Sequence, residues 1–150
     1  MKQRWWALLV VLALSAMPRG SAAQGISPQT HDSQGSATGL GQNYPNPFAL
    51  DTRIPFTIGD YPACSDPGRQ YRVSLRVYNL LSQLVAIPTL EAGVAGPGGE
   101  PLDNVLLTCN QFVGYWNGNF LNRDEQIPRG VYLYRLEVDG RPYVKKMFKK

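Results

Sequence analysis

Apolar and polar residues alternate in several short runs along this chain, and each run predicts a strand. Ile54, Phe56 and Ile58 share one face of the first run, with Arg53, Pro55 and Thr57 on the other, the period of a half-buried strand. Pro55 has no N–H to give, so this strand is expected at a sheet edge with that position facing outward. The clearest alternation sets Tyr71, Val73, Leu75 and Val77 against Arg72, Ser74 and Arg76. A turn around Asn79 to Ser82 leads into a strand from Gln83 to Ile87, which Pro88 ends. Gly93 to Pro101 holds too much glycine and proline for regular structure and predicts an exposed loop. Val105 to Thr108 and Phe112 to Trp116 are short strand candidates, interrupted near Cys109 and Asn110. Tyr132, Tyr134, Leu136 and Val138 alternate with Leu133, Arg135 and Glu137. Asp139-Gly140 then supplies the positive-φ pair of a two-residue hairpin turn. The run returns as Arg141 to Phe148, but both its faces mix apolar residues with lysines, so its inward face stays open. A bulge near Pro142 would resolve it. No helical period follows the first residues. About seven short strands with turn signals between them predict an all-β fold, an antiparallel immunoglobulin-like β-sandwich. Trp116 is expected in its core or plugging its end.

The first residues have another character. Lys2 and Arg4 precede an apolar run from Trp5 to Met17, and Ser21-Ala22-Ala23 follows. This is the order of a signal peptide cleaved before Gln24; the run is short for a spanning helix, which weighs against an uncleaved anchor. No cysteine follows the run, so a lipoprotein anchor there is excluded. Residues 24–39 are rich in Ser, Gly, Gln and Thr and are expected to form a flexible linker, with a folded domain over residues 40–150. Export changes the charge balance. The formal charge of +4 includes Lys2, Arg4 and Arg19, so about +1 remains after cleavage. Nucleic-acid binding, which needs a concentrated basic face, is not expected. One local asymmetry remains: Arg141, Lys145, Lys146, Lys149 and Lys150 follow Asp139 with no acid among them. They suit a soluble edge strand; they are also the candidate contact surface for an export machine.

The chain has two cysteines, Cys64 and Cys109. In an oxidising compartment an even pair is most simply one disulfide. Closing that loop removes about 4 kcal/mol of unfolded-state entropy in the chain-entropy treatment. The single histidine, His31, falls in the linker, so the domain lacks the usual base for a serine or cysteine nucleophile. Two distant cysteines do not make a zinc site. Gly93 to Gly99 leads into Glu100-Pro101, which does not start a helix, so it is no phosphate cradle. The acids are scattered, and no enzyme, cofactor or metal is expected. Asn117, Asn119, Asn122, Asp124 and Glu125 gather oxygens in one loop, which raises calcium; their spacing matches no calcium-loop motif, and turn formation is the favoured role. Tyr115, Trp116 and Phe120 raise sugar stacking, and core packing serves them equally well.

The most specific stretch is Asn43-Tyr44-Pro45-Asn46-Pro47-Phe48, just before the first strand. Its prolines stiffen the backbone, Asn46 can bond its own backbone to set a turn, and Tyr44 and Phe48 are expected to dock in the core. Together with the Thr52 to Ile58 strand it closely resembles the type A sorting domain of the type IX secretion system. Those domains are similar to the immunoglobulin-like domain of the flagellar hook-capping protein. Leu75 to Ala86, Trp116-Asn117-Gly118, and Pro128 to Glu137 with its Gly130-Val131-Tyr132 core, match in the same order. The resemblance runs from Leu40 to Lys150. It departs between Pro88 and Val113, where the chain is longer, and after Trp116, where Asn117-Gly118-Asn119-Phe120 replaces an Asp-Gly-x-Asp run. It implies a non-catalytic domain that crosses the inner membrane by its signal and is recognised in the periplasm by secretion machinery proteins at the outer membrane. It would then be released or kept at the cell surface, with no stable membrane span in the mature form. Sorting domains of this kind end longer proteins, whereas here a short linker separates signal and domain. An extracellular structural or adhesive sandwich outside export routing is the alternative. Oligomeric state is left open.

Overall fold

The computed structural model describes residues 38–91, 99–121 and 123–150. The signal and most of the linker lie outside the described residues, as do Asn122 and most of the glycine-rich loop. Nine strands are described: β1 (Gly39–Leu40), β2 (Thr52–Ile58), β3 (Gln70–Tyr78), β4 (Leu84–Ala86), β5 (Thr89–Leu90), β6 (Val105–Thr108), β7 (Asn110–Trp116), β8 (Gly130–Val138) and β9 (Arg141–Lys149). One sheet has the order β1-β2-β7-β5; the other has the order β4-β3-β8-β9, with β6 also paired to β3. Every strand pair is antiparallel. The expected all-β sandwich is therefore present, and the two strands beyond the expected seven are the two-residue β1 and β5.

The inner faces carry the alternation read from the sequence. Ile54, Phe56 and Ile58 from β2 and Phe112 and Trp116 from β7 meet Val73, Leu75 and Val77 from β3 and Tyr132, Tyr134, Leu136 and Val138 from β8. Phe56 and Phe112 are cross-strand partners with ring centroids 5.6 Å apart. At Gly114 the sheets approach so closely that a Cβ would lie 2.6 Å from Leu75 Cδ2. β6 and β7 are nearly continuous, and the chain passes from one sheet to the other at Cys109.

Three details differ from expectation, and a fourth settles what was left open. Gly39, placed in the linker, pairs with Thr57, and Thr38 Oγ1 accepts a hydrogen bond from Gly59 N. β2 is not an edge strand, because β1 flanks it. The backbone of Pro55 faces Gly41, which donates to the Pro55 carbonyl at 2.8 Å. Ser74, expected to face outward, is buried because residues 102–104 cross over it: Leu102 O accepts from Leu75 N, and Ser74 Oγ accepts from Asn104 N. β9 has no bulge: its register with β8 runs unbroken from Val138↔Arg141 to Gly130↔Lys149. Met147 and Lys149 point inward with the half-buried Tyr143, while Lys145 stays exposed.

Candidate functional site

The entry segment is held from within by Asn43, whose side chain is buried. Asn43 Nδ2 donates to Pro45 O at 3.1 Å and to Thr52 Oγ1 at 3.0 Å, while its Oδ1 accepts from Gln42 Nε2. Its backbone N–H donates to the Tyr134 hydroxyl at 3.0 Å, and that hydroxyl donates to Gly41 O at 2.8 Å. This second bond has a clear cause. In an antiparallel pair the Gly41 carbonyl would accept from residue 55, but Pro55 has no N–H. The buried phenol of Tyr134 takes its place.

Tyr44 pairs its backbone with Arg53 at 2.8 and 2.9 Å, yet its ring is 50 % exposed, so the expected docking of Tyr44 does not occur. Phe48 does dock. It is fully buried, with its ring 5.5 Å from that of Trp116, which in turn lies 6.4 Å from Tyr132. The Tyr44–Pro45 and Asn46–Pro47 peptide bonds are cis. Asn46 does not bond its own backbone. Its Oδ1 accepts from Phe148 N at 3.0 Å, across the fold. Phe48 N donates to Phe148 O, and Lys150 N donates to Phe48 O, both at 2.9 Å, forming a parallel bridge at the end of β9. Gly130, Val131 and Tyr132 pair with Lys149, Phe148 and Met147 on the other side of the same strand end. The two most specific sequence motifs thus flank one another through the end of β9.

Four lysines were candidate contacts, and the fold separates them. Lys149 is only 9 % exposed: its stem lies over Phe48, with Nζ 5.5 Å from the ring centroid, and Nζ donates to Ala49 O. It belongs to the packing of the entry segment, not to an exposed surface. Lys145, Lys146 and Lys150 are exposed. Lys146 O accepts from Gln42 Nε2, and Lys146 Nζ sits 5.9 Å from the Phe148 ring. The antiparallel ladder turns the backbone groups of Pro142, Val144 and Lys146 away from β8, toward the open edge of β9. Pro142 has no N–H and the last residues are already bridged, so little of this edge is free to pair.

The loop after Trp116 closes the same end. Trp116 Nε1 donates to Asn119 O at 2.9 Å, and Ile127 N donates to Gly118 O at 2.9 Å. Gly118 has φ +75°, and a Cβ there would overlap the Leu50 carbonyl oxygen. The loop oxygens are engaged with one another: Asn119 Nδ2 donates to Asp124 Oδ1, and Gln126 Nε2 donates to Asn117 O and to Asn119 Oδ1. Such mutual bonding is that of turn formers. Among the described residues no three of His, Cys, Asp and Glu cluster as metal ligands would.

Cys64 and Cys109 form a disulfide, with Cα atoms 5.6 Å apart. It ties the β2–β3 connection to the point where the chain changes sheets. Within that connection Asp60 accepts from Ser65 N and Ser65 Oγ, and these bonds hold its carboxyl below the ordinary carboxylate range. Burial raises the phenols of Tyr132 and Tyr134 above their ordinary value; for Tyr134 the bond from Asn43 partly opposes this. Sequence reasoning missed the roles of Tyr134 and Lys149. The one available signal was Pro55, whose missing N–H leaves a carbonyl in need of a donor. No family model, curated protein or solved structure matches the chain.

Proposed function

We propose that the chain is an exported, non-catalytic β-sandwich whose exterior is recognised by type IX secretion machinery at the outer membrane, for release or surface attachment. The observation that carries this reading is the clamp at the end of β9. Asn46 and Phe48 bond Phe148 and Lys150 on one side of that strand, and Gly130 to Tyr132 pair with it on the other. The motifs that resemble a type A sorting domain therefore act together, and what they fix is the presentation of Lys145, Lys146 and Lys150 on a rigid frame. A preorganised surface of this kind loses little conformational entropy when a partner binds. The route is the signal peptide, then the periplasm in transit, then the cell surface or medium.

The test is a reporter fusion. Leu40 to Lys150, carried behind a signal peptide and a fluorescent protein, is expressed in a host with type IX machinery and in its translocon-deficient twin. Surface or medium fluorescence only in the first host is expected. Reporter confined to the periplasm of both rejects the sorting role, and display in both favours an adhesive or structural sandwich.

A further inference from the structure

The two outer faces of the sandwich differ. The outer face of the β1-β2-β7-β5 sheet carries Arg53, Thr57, Gln111 and Tyr115, and Arg53 is engaged with Glu91 and Asp51. Of the exposed large apolar side chains among the described residues, only Tyr44, bridged to Arg53, lies beside it, with the half-buried Pro55 and Val113. Six others, Leu80, Leu81, Leu84, Leu106, Val144 and Phe148, lie on the other sheet or on the β3–β4 turn that borders it. Cross-strand register joins Leu84, Tyr78, Leu133 and Lys146 into one row. Beside it Tyr78, Ser82, Leu133, Arg135 and Val144 line a groove of about 340 Å³.

The turn at its border is built to hold leucines outward. Asn79 Oδ1 accepts from Leu81 N at 3.0 Å and from Gln83 N at 2.9 Å, and Asn79 Nδ2 donates to Gln83 Oε1 at 2.7 Å. Leu80 and Leu81 are nonetheless 66 % and 79 % exposed. Apolar surface gathered this way marks an interaction site more often than chance exposure does.

The charge on the face selects the occupant. Arg76 is paired with Asp103 and Arg135 with Glu137, but Arg72 and Lys146 have no acid within ion-pair distance among the described residues. Lys146 and Arg72 are the cations of this face left open to an arriving carboxylate. We propose that the outer face of the β4-β3-β8-β9 sheet, with the Leu80–Leu81 turn, docks an acidic, apolar-faced segment of a partner protein. This rests on the export reading in so far as that partner belongs to the secretion machinery, and it shifts the contact from the lysines alone to the whole face.

The test places a photo-crosslinking amino acid at Leu81, Val144 or Gln111 of the full chain, in the host with type IX machinery. The expected result is an adduct from the first two positions, absent from Gln111, to one protein through a peptide rich in Asp and Glu. Lys146→Glu should reduce its yield about tenfold, as loss of a central contact does. All these positions are exposed, so unfolding midpoints should stay at the wild-type value. Equal adducts at all three positions, no adduct at any, or adducts only to lipid or to a second copy would overturn the proposal. Export scored in parallel separates the two readings: an acidic adduct without export keeps the docking face and rejects sorting, whereas export without an adduct does the reverse.

Discussion

Tyr134→Phe removes a single oxygen from a fully buried ring, and the structure sets what that should cost. The lost hydroxyl leaves two backbone groups without partners: Gly41 O, whose strand neighbour Pro55 cannot donate, and the N–H of Asn43. A buried polar group left unsatisfied costs about 1–3 kcal/mol, so the substitution should lower stability by about 2–4 kcal/mol. Tyr132→Phe is the internal control. Its hydroxyl makes one bond, to the exposed Pro128, so about 1 kcal/mol is expected there. Urea unfolding of the oxidised chain reads both, and equal slopes for the three proteins make the midpoints comparable. The same residue predicts an alkaline effect. Burial raises the folded phenol above its unfolded value near 10.0. The folded state then holds a proton that the unfolded state releases, so this stability is complete below pH 10 and is lost as pH rises through the folded value. Tyr134→Phe should flatten that loss. A stability change below about 0.5 kcal/mol, with an unaltered alkaline limb, would refute the assigned role of the hydroxyl.

Further outcomes follow from both ends of the sandwich. Phe48→Ala empties a fully buried site against Trp116 and should cost about 3–5 kcal/mol, read as a lower unfolding midpoint. Replacing Cys64 and Cys109 together by serine should cost about 4 kcal/mol, since the bond spans 45 residues of sequence, and reductant should lower the wild-type midpoint to match. Two free thiols found by alkylation without reductant would contradict the bond. Lys149→Ala should cost about 1–2 kcal/mol by removing the stem over Phe48 and the bond to Ala49 O. Lys149→Met, which keeps the stem, should recover about half of that.

Much of this architecture could be read from local pattern. β2 and β8 each bury one face in strict alternation, β3 does so apart from the buried Ser74, and the Asp139-Gly140 turn sets the β8–β9 register without a bulge. Where the reading failed, the cause lies far away in sequence. The inward face of β9 was ambiguous because Lys145 sits between Tyr143 and Met147; that face turns inward nonetheless, and Phe48, a hundred positions earlier, buries Lys149 on it. Asn46 looked like a local turn former, yet its acceptor serves Phe148. Pro55 suggested an edge, and β1 covers it because Tyr134 supplies the donor that proline lacks. For the candidate site, the motifs were visible as motifs, but their meeting at the end of β9 is a tertiary fact. The apolar outer face was hidden for a related reason: Leu84, Leu133 and Val144 come from three strands and meet on one face only once the register is known.

The account depends most on the entry segment locking the end of β9. Amide hydrogen exchange at Phe148 and Lys150 tests this directly, because both N–H groups point away from β8 and have partners only in Asn46 and Phe48. The account predicts that both exchange at least about a hundredfold more slowly than Val144, on the open stretch of the same edge, and that Asn46→Ala releases Phe148. Exchange at Phe148 and Lys150 as fast as at Val144 would contradict the clamp, and with it the fixed surface on which the proposed recognition rests.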